Sequence, residues 1–457
     1  MSGRRAAALA VLLWRSIAFA GESLDYEPIG RIAVFRPAGA PRGVAVLLTG
    51  DAGFTAAEEA IASTLAAAGA LVLGVDLRDY RARLAKAWAS ESYPSADLEL
   101  LSQFAQRASG SSTYEPPVLV GVGAGAALAY ASLAQANPSS FRGAVSVSFC
   151  PLLVLPTMPG RGRGLDVTRA DHDEFRLAPS PAVQGRWVIV QPEEDAPCSL
   201  DRVRDFARQV AHAKVLVAAG GRSGLAARVR AAFLGIAGAP REEERATRAA
   251  DVADLPLVEL RASGAPAGSL AVILSGDGGW ASIDRDIGGA LAARGVDVVG
   301  LNSLRYFWTR RTPDSATADL ERILRHYLAA WGAQRVLLLG YSRGADVLPF
   351  LAARLAPDLR ARVAVIALLG PARSVDFEFH LSDWVAAADR ATELPIRPEV
   401  DKLRGMRLLC VYGADETDSL CPELGPPLAT VLEQPGGHHF GGDYDAIVTR
   451  ILAAAGG

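Results

Sequence analysis

The chain has 457 residues, half of them hydrophobic, with sparse aromatics and a formal charge of −3. That length holds two or three domains with full cores, and the composition excludes a disordered or fibrous chain. The charge excludes a dedicated nucleic-acid binder, which carries a strong basic excess.

Residues 1–20 read as an export signal. Arg4 and Arg5 form a basic start, Ala6 to Trp14 are apolar, and Ala18-Phe19-Ala20 fits a small-x-small cleavage site before Gly21. Arg15 interrupts the apolar stretch. No other segment approaches the ~20 apolar residues of a membrane span, so a transmembrane protein is not expected. Cys150 and Cys198 lie in the first half and Cys410 and Cys421 in the second, an even number in each. Each half can therefore close its own disulfide in an oxidising compartment. No spacing resembles a zinc site, and neither metal nor cofactor is expected.

Strand and helix patterns then alternate in both halves, which predicts two tandem α/β domains, each a mostly parallel sheet flanked by helices. Gly43 to Leu48 runs into Thr49-Gly50-Asp51-Ala52-Gly53-Phe54, as Leu270 to Leu274 runs into Ser275-Gly276-Asp277-Gly278-Gly279-Trp280. Alanine-rich helices follow at Ala57 to Ala68 and Ile283 to Ala293. Strands at Ala70 to Val75 and Val296 to Leu301 come next, then strands at Gly143 to Phe149 and Arg362 to Leu369. The last pair of strands expected is Trp187 to Gln191 and Arg407 to Tyr412. The charged run from Arg241 separates the halves. The predicted division is a domain over 24–240, a linker over 241–251 and a second domain over 252–457.

Only the second half keeps chemical groups at the equivalent turns. Val336 to Leu339 leads into Gly340-Tyr341-Ser342-Arg343-Gly344, a G-x-S-x-G turn between strand and helix. Such a turn presents a serine hydroxyl above the sheet, and the helix start favours developing negative charge. In the first half Pro117 to Val120 leads into Gly121-Val122-Gly123-Ala124-Gly125, with Gly123 in place of the serine. Ser342 is thus the candidate nucleophile. A base and an orienting acid should follow in the order acid, then histidine. Asp415 is the first choice for the acid, Asp418 the second and Glu416 the third. For the base, Gly436-Gly437-His438-His439-Phe440 offers His438, with His439 as the alternative. The first half reads Gly220-Gly221-Arg222-Ser223 there, so it lacks the base as well. Oxyanion donors are expected from the backbone of Arg343 and of the glycine loop at Asp277 and Gly278. Arg305, Trp308, Asp346 and His439 are candidate substrate contacts, arginines for a phosphate and carboxylates for an amine.

These motifs, together with Leu304-Arg305-Tyr306-Phe307-Trp308 and the continuation Ala345-Asp346-Val347-Leu348-Pro349, resemble the bacterial virulence proteins of the AcvB/VirJ type. The resemblance spans nearly all of the second half, and the degenerate first half resembles the longer, AcvB-like members. It implies two α/β-hydrolase-like domains, the first non-catalytic. It also implies a periplasmic serine hydrolase that removes lysine from lysyl-phosphatidylglycerol at the membrane surface. Arg343 departs from the aromatic or small residue expected at that position in many relatives. A general periplasmic carboxylesterase or thioesterase is the alternative within hydrolases. A non-catalytic partner of export or virulence machinery is the alternative outside them. Protein partners are not specified by the sequence.

Overall fold

The computed structural model describes residues 22–456, except 28, 87–90, 138–139, 182, 194–197, 219–220, 239–250, 264–266, 281 and 379–392. Residues 221–223 and 282 are described as backbone only. The expected export signal and linker residues 241–250 lie outside the described residues.

The first half builds an eight-stranded sheet. Its strands are β1 (Glu22–Tyr26), β2 (Gly30–Phe35), β3 (Gly43–Leu48), β4 (Ala70–Val75), β5 (Val118–Val122), β6 (Gly143–Val147), β7 (Arg186–Pro192) and β8 (Ala213–Ala218). They lie in the order β1-β2-β4-β3-β5-β6-β7-β8. The second half repeats this with seven strands. These are β9 (Leu257–Leu260), β10 (Ser269–Leu274), β11 (Asp297–Leu301), β12 (Arg335–Tyr341), β13 (Val363–Leu369), β14 (Leu408–Gly413) and β15 (Thr430–Gln434). Their order is β9-β11-β10-β12-β13-β14-β15. In the first sheet β1 and β2 run antiparallel to their neighbours, and in the second β9 does. The other neighbours are parallel.

This is the α/β-hydrolase strand order, twice. Among the described residues the second copy has no counterpart of β1. The strands expected from sequence form with ends moved by one or two residues. The hairpin β1–β2 and the edge strands β8, β9 and β15 were not among them.

The parallel strands are continuous apolar runs because helices cover both faces. The helices α1 (Ala56–Ala67), α2 (Leu77–Leu84), α3 (Pro94–Ala108), α4 (Ala124–Gln135), α5 (Leu200–Ala207) and α6 (Gly221–Ala237) serve the first sheet. The second has α7 (Ser282–Ala293), α8 (Ser303–Tyr306), α9 (Pro313–Trp331), α10 (Arg343–Arg354) and a C-terminal helix, Tyr444–Ala455. Each sheet has a hydrophobic cluster on either face. Even small packing devices recur. A Cβ on Gly74 would lie 2.2 Å from the Phe54 ring, and one on Gly300 would lie 2.1 Å from the Trp280 ring. In both halves a strand glycine makes room for the aromatic that ends the first βα loop.

Both expected disulfides form, Cys150–Cys198 in the first half and Cys410–Cys421 in the second. Strand order reverses at β3 and at β10, where neighbouring connections leave in opposite directions. A ligand cleft is expected outside the carboxyl ends of strands at such a switch point.

Candidate active site

Ser342 stands between the end of β12 and the start of α10 with φ 51° and ψ −122°, a conformation that side chains rarely adopt. Its two flanking glycines are sterically required. A Cβ on Gly340 would come 2.3 Å from the Gly344 carbonyl oxygen, and one on Gly344 would come 2.0 Å from that of Leu274. The Ser342 N–H donates to the Leu369 carbonyl at 2.9 Å, pinning the turn to the end of β13. Arg343 occupies the first helical position, where an amide N–H points out of the helix end rather than into its ladder. The Gly276–Gly279 loop packs over the serine: a Cβ on Gly276 would lie 3.4 Å from Ser342 Cβ.

The histidine loop rests on Tyr341. The tyrosine hydroxyl donates to the His438 carbonyl at 3.2 Å, and the two rings lie 5.2 Å apart. Phe440 is buried, its ring 6.1 Å from that of Tyr341. His438 Nδ1 makes a short contact with Glu416 Oε1, and Glu416 Oε2 accepts the Gly413 N–H at 2.6 Å. A carboxylate on Nδ1 fixes the tautomer that leaves Nε2 for proton traffic.

The carboxylate that meets His438 is therefore Glu416, the third choice, and not Asp415, the first. The Glu416 N–H donates to the Gly413 carbonyl at 2.9 Å, closing a turn that brings residue 416 inward, and its side chain is only 8 % exposed. Asp415 and Asp418 are exposed. Asp415 contributes its backbone, which donates to the Gly436 carbonyl at 3.0 Å and joins the two loops.

Gly370, the residue after β13, had no place among the expected site residues. It has φ 63°, and a Cβ there would lie 2.7 Å from His438 Cε1 and 3.0 Å from Nδ1. Only glycine lets the imidazole sit this close to that strand end. A single sequence carries no motif around it that would have signalled this.

The expected substrate contacts divide. Asp346 stays at the site, where its Oδ1 accepts the Ala372 N–H at 2.7 Å and ties α10 to the loop after Gly370. Burial pushes its carboxyl up to about 7, and the charges of Asp277 and Asp418 add to the effect. His439 is next to His438, and partial burial followed by the His438 charge holds it below the usual histidine range.

Trp308 is corrected. It is 0 % exposed and packs with Tyr114 and Leu304, while its Nε1 donates to the Ser111 carbonyl at 2.8 Å. Arg305 likewise faces Glu115 of the first half at 3.7 Å. Both residues build the contact between the halves, because the loop after β11 faces the first sheet's α3 and the segment following it. The Arg343 side chain donates to the carbonyls of Asp376 at 2.9 Å and Glu378 at 3.4 Å.

Residues 268–456 match the family model described as "Bacterial virulence protein (VirJ)". The second half is a VirJ-family domain. No curated protein matches the chain. Among solved structures, Est1E from Butyrivibrio proteoclasticus is similar at 13% identity with a TM-score of 0.33, covering 44% of this chain and 94% of that one. MenH from S. aureus is similar at 12% identity and a TM-score of 0.33, covering 44% and 99%. A thioesterase domain from the curacin biosynthetic pathway is similar at 14% identity and 0.32, covering 43% and 94%. At these scores the α/β-hydrolase assignment of the VirJ-family domain rests on its own strand order and elbow.

Proposed function

We propose that the chain is a serine ester hydrolase working through an acyl-enzyme, with Ser342 as nucleophile, His438 as base and Glu416 as the acid that orients it. The observation that carries this reading is the Glu416–His438 contact on a loop that rests on Tyr341, the residue before the elbow serine. His438 Nε2 takes the Ser342 proton as Oγ attacks the ester carbonyl, and the N–H of Arg343 and a donor from the Asp277-Gly278 loop hold the oxyanion. The alkoxide leaves with that proton. Water, deprotonated by the same nitrogen, then releases the acid and regenerates the serine. Glu416 keeps the imidazole in its working tautomer and stabilises the imidazolium.

For the substrate we favour the aminoacyl ester of lysyl-phosphatidylglycerol, cleaved in the periplasm to lysine and phosphatidylglycerol. The family resemblance supports it, and so does the surplus of carboxylates around the serine. The charges of Asp277 and Asp418 act on Asp346, and that of Asp277 acts on Glu99 of the first half. Such a field suits an ammonium group. Among the described residues no helix is long and apolar enough to cross a membrane, so the lipid would be met at the membrane surface. A second reading, an esterase without lipid preference, gains from the side chains of Arg305 and Arg343. Both are engaged away from the serine, so the phosphate grip expected of arginines there has no support.

The deciding experiment is lysine release from lysyl-phosphatidylglycerol in mixed micelles by the full chain and by Ser342→Ala. We expect the variant to lose about 10⁴-fold or more in kcat. Equal release by both would overturn the mechanism. Cleavage of small esters alone would select the second reading.

A further inference from the structure

We propose that the first half is a working part of the second half's active site, and that Arg107 is the positioning residue through which it acts. The claim rests on Ser342 being the nucleophile. Trp308 belongs to the VirJ-family domain, yet its environment is built with the first half, where Tyr114 lies 5.3 Å from its ring and Ser111 accepts its N–H. Arg107, in the last turn of α3, holds this residue in two ways. Its guanidinium lies 4.8 Å over the indole, and its Nη1 donates to the Trp308 carbonyl. Its Nη2 also lies 4.0 Å from Glu378 Oε1.

One side chain of the first half thus bridges two loops of the second. The same two loops are joined by the Arg311 N–H, which donates to the Phe377 carbonyl at 3.0 Å. The 376–378 segment is also where Arg343 is anchored, through the carbonyls of Asp376 and Glu378. Arg343 follows the nucleophile directly, and its N–H is the proposed oxyanion donor. The path from Arg107 to the reacting atoms is therefore Glu378, Arg343, Ser342. A planar fork can stack on an indole and donate in-plane at the same time, which a lysine cannot. Small displacements of an oxyanion donor are costly, about 10²-fold for ~1 Å.

The test uses the full chain with Arg107→Ala, Arg107→Lys and, as control, Arg163→Ala. The control removes another ion pair between the halves, Arg163–Asp286 at 3.7 Å, distant in the path from these loops. Turnover of a p-nitrophenyl ester and backbone hydrogen exchange over 303–311 and 374–378 are read in each. We expect Arg107→Ala to lose about 10-fold in kcat with KM within about twofold, given the sensitivity above. Exchange should quicken in both segments, Arg107→Lys should recover only part of the loss, and Arg163→Ala should match the unaltered chain. Unchanged kcat and exchange in Arg107→Ala would overturn the proposal, as would an equal loss in Arg163→Ala, which would mark general loosening. If turnover does not depend on Ser342, the functional reading fails, and unchanged or quickened exchange still decides whether Arg107 holds the loops.

Discussion

The two elbows of this molecule have almost the same backbone and different chemistry. Gly123 has φ 55° and ψ −115°, and Ser342 has φ 51° and ψ −122°. The N–H of each donates at 2.9 Å to the last residue of the next strand, Val147 or Leu369. Gly121 and Gly125 are as tightly enclosed as Gly340 and Gly344, with a hypothetical Cβ 2.1 Å and 2.3 Å from backbone oxygens. A turn this tight is present in the first half although it presents no hydroxyl. The turn is therefore also a packing solution for a helix crossing close over a sheet, and geometry alone does not make it a catalytic site.

The second difference lies one strand away. Ser148 follows β6 as Gly370 follows β13, and both have positive φ, 53° and 63°. Each N–H bonds to the neighbouring strand, Ser148 to the Val190 carbonyl at 3.1 Å and Gly370 to that of Val411 at 2.8 Å. The first half thus carries a side chain where the second half has room for the imidazole. It lacks the elbow serine and also the open strand end that the His438 ring approaches.

The largest test of this contrast after removal of the nucleophile concerns the acid. Glu416→Gln should lower kcat by about 10³- to 10⁴-fold, because an amide favours the wrong imidazole tautomer. Asp415→Asn and Asp418→Asn should stay within about twofold, since neither carboxylate contacts the ring. Steady-state kinetics on one ester separates the three.

Converting one half toward the other is the next test. Gly370→Ser, which copies the first half, should cost about 10- to 100-fold in kcat by displacing His438. Gly123→Ser in a Ser342→Ala background should restore nothing, because the first half has Arg222 at the loop position that matches His438. Measurable, phenylmethylsulfonyl-sensitive turnover from that double variant would break the comparison.

The smallest effect expected is on stability. The Asp346 carboxyl is raised to about 7 from an ordinary value of about 3.9. Its neutral form is the one the fold favours. That contribution is complete below about pH 4 and is lost as pH rises through 7. Asp346→Asn keeps the acceptor for the Ala372 N–H without the charge. Its urea midpoint should gain on the unaltered chain between pH 5 and pH 8, and parallel pH profiles would refute the assignment.

What was legible in the sequence followed from backbone demands. Apolar runs ending in glycine turns gave the strands, the repeat and the elbow, since those residues are dictated within a few positions of themselves. Side-chain direction at a strand end is not dictated in that way. Asp415, Glu416 and Asp418 share one short turn, and the bonds that Glu416 makes with Gly413 and that Asp415 makes with Gly436 turn Glu416 inward. Trp308 and Arg305 were expected at the cleft because they follow a strand on its carboxyl side. The opposing surface that encloses them comes from residues about 200 positions earlier, Arg107 to Glu115, and no local pattern records that meeting.

The Cys410–Cys421 bond has a consequence for the site. The two cysteines are 11 residues apart, and Glu416 lies inside the ring they close. The span bearing the carboxylate is thus a covalent hoop, anchored at one end in β14 itself. Closing a ring of this size removes about 3 kcal/mol of chain freedom from the unfolded state. Where thiols stay reduced, the hoop is an open arm with one fewer fixed end, and the hold on His438 depends on the turn alone. The oxidation state of two buried sulfurs then sets how firmly Glu416 is held against His438.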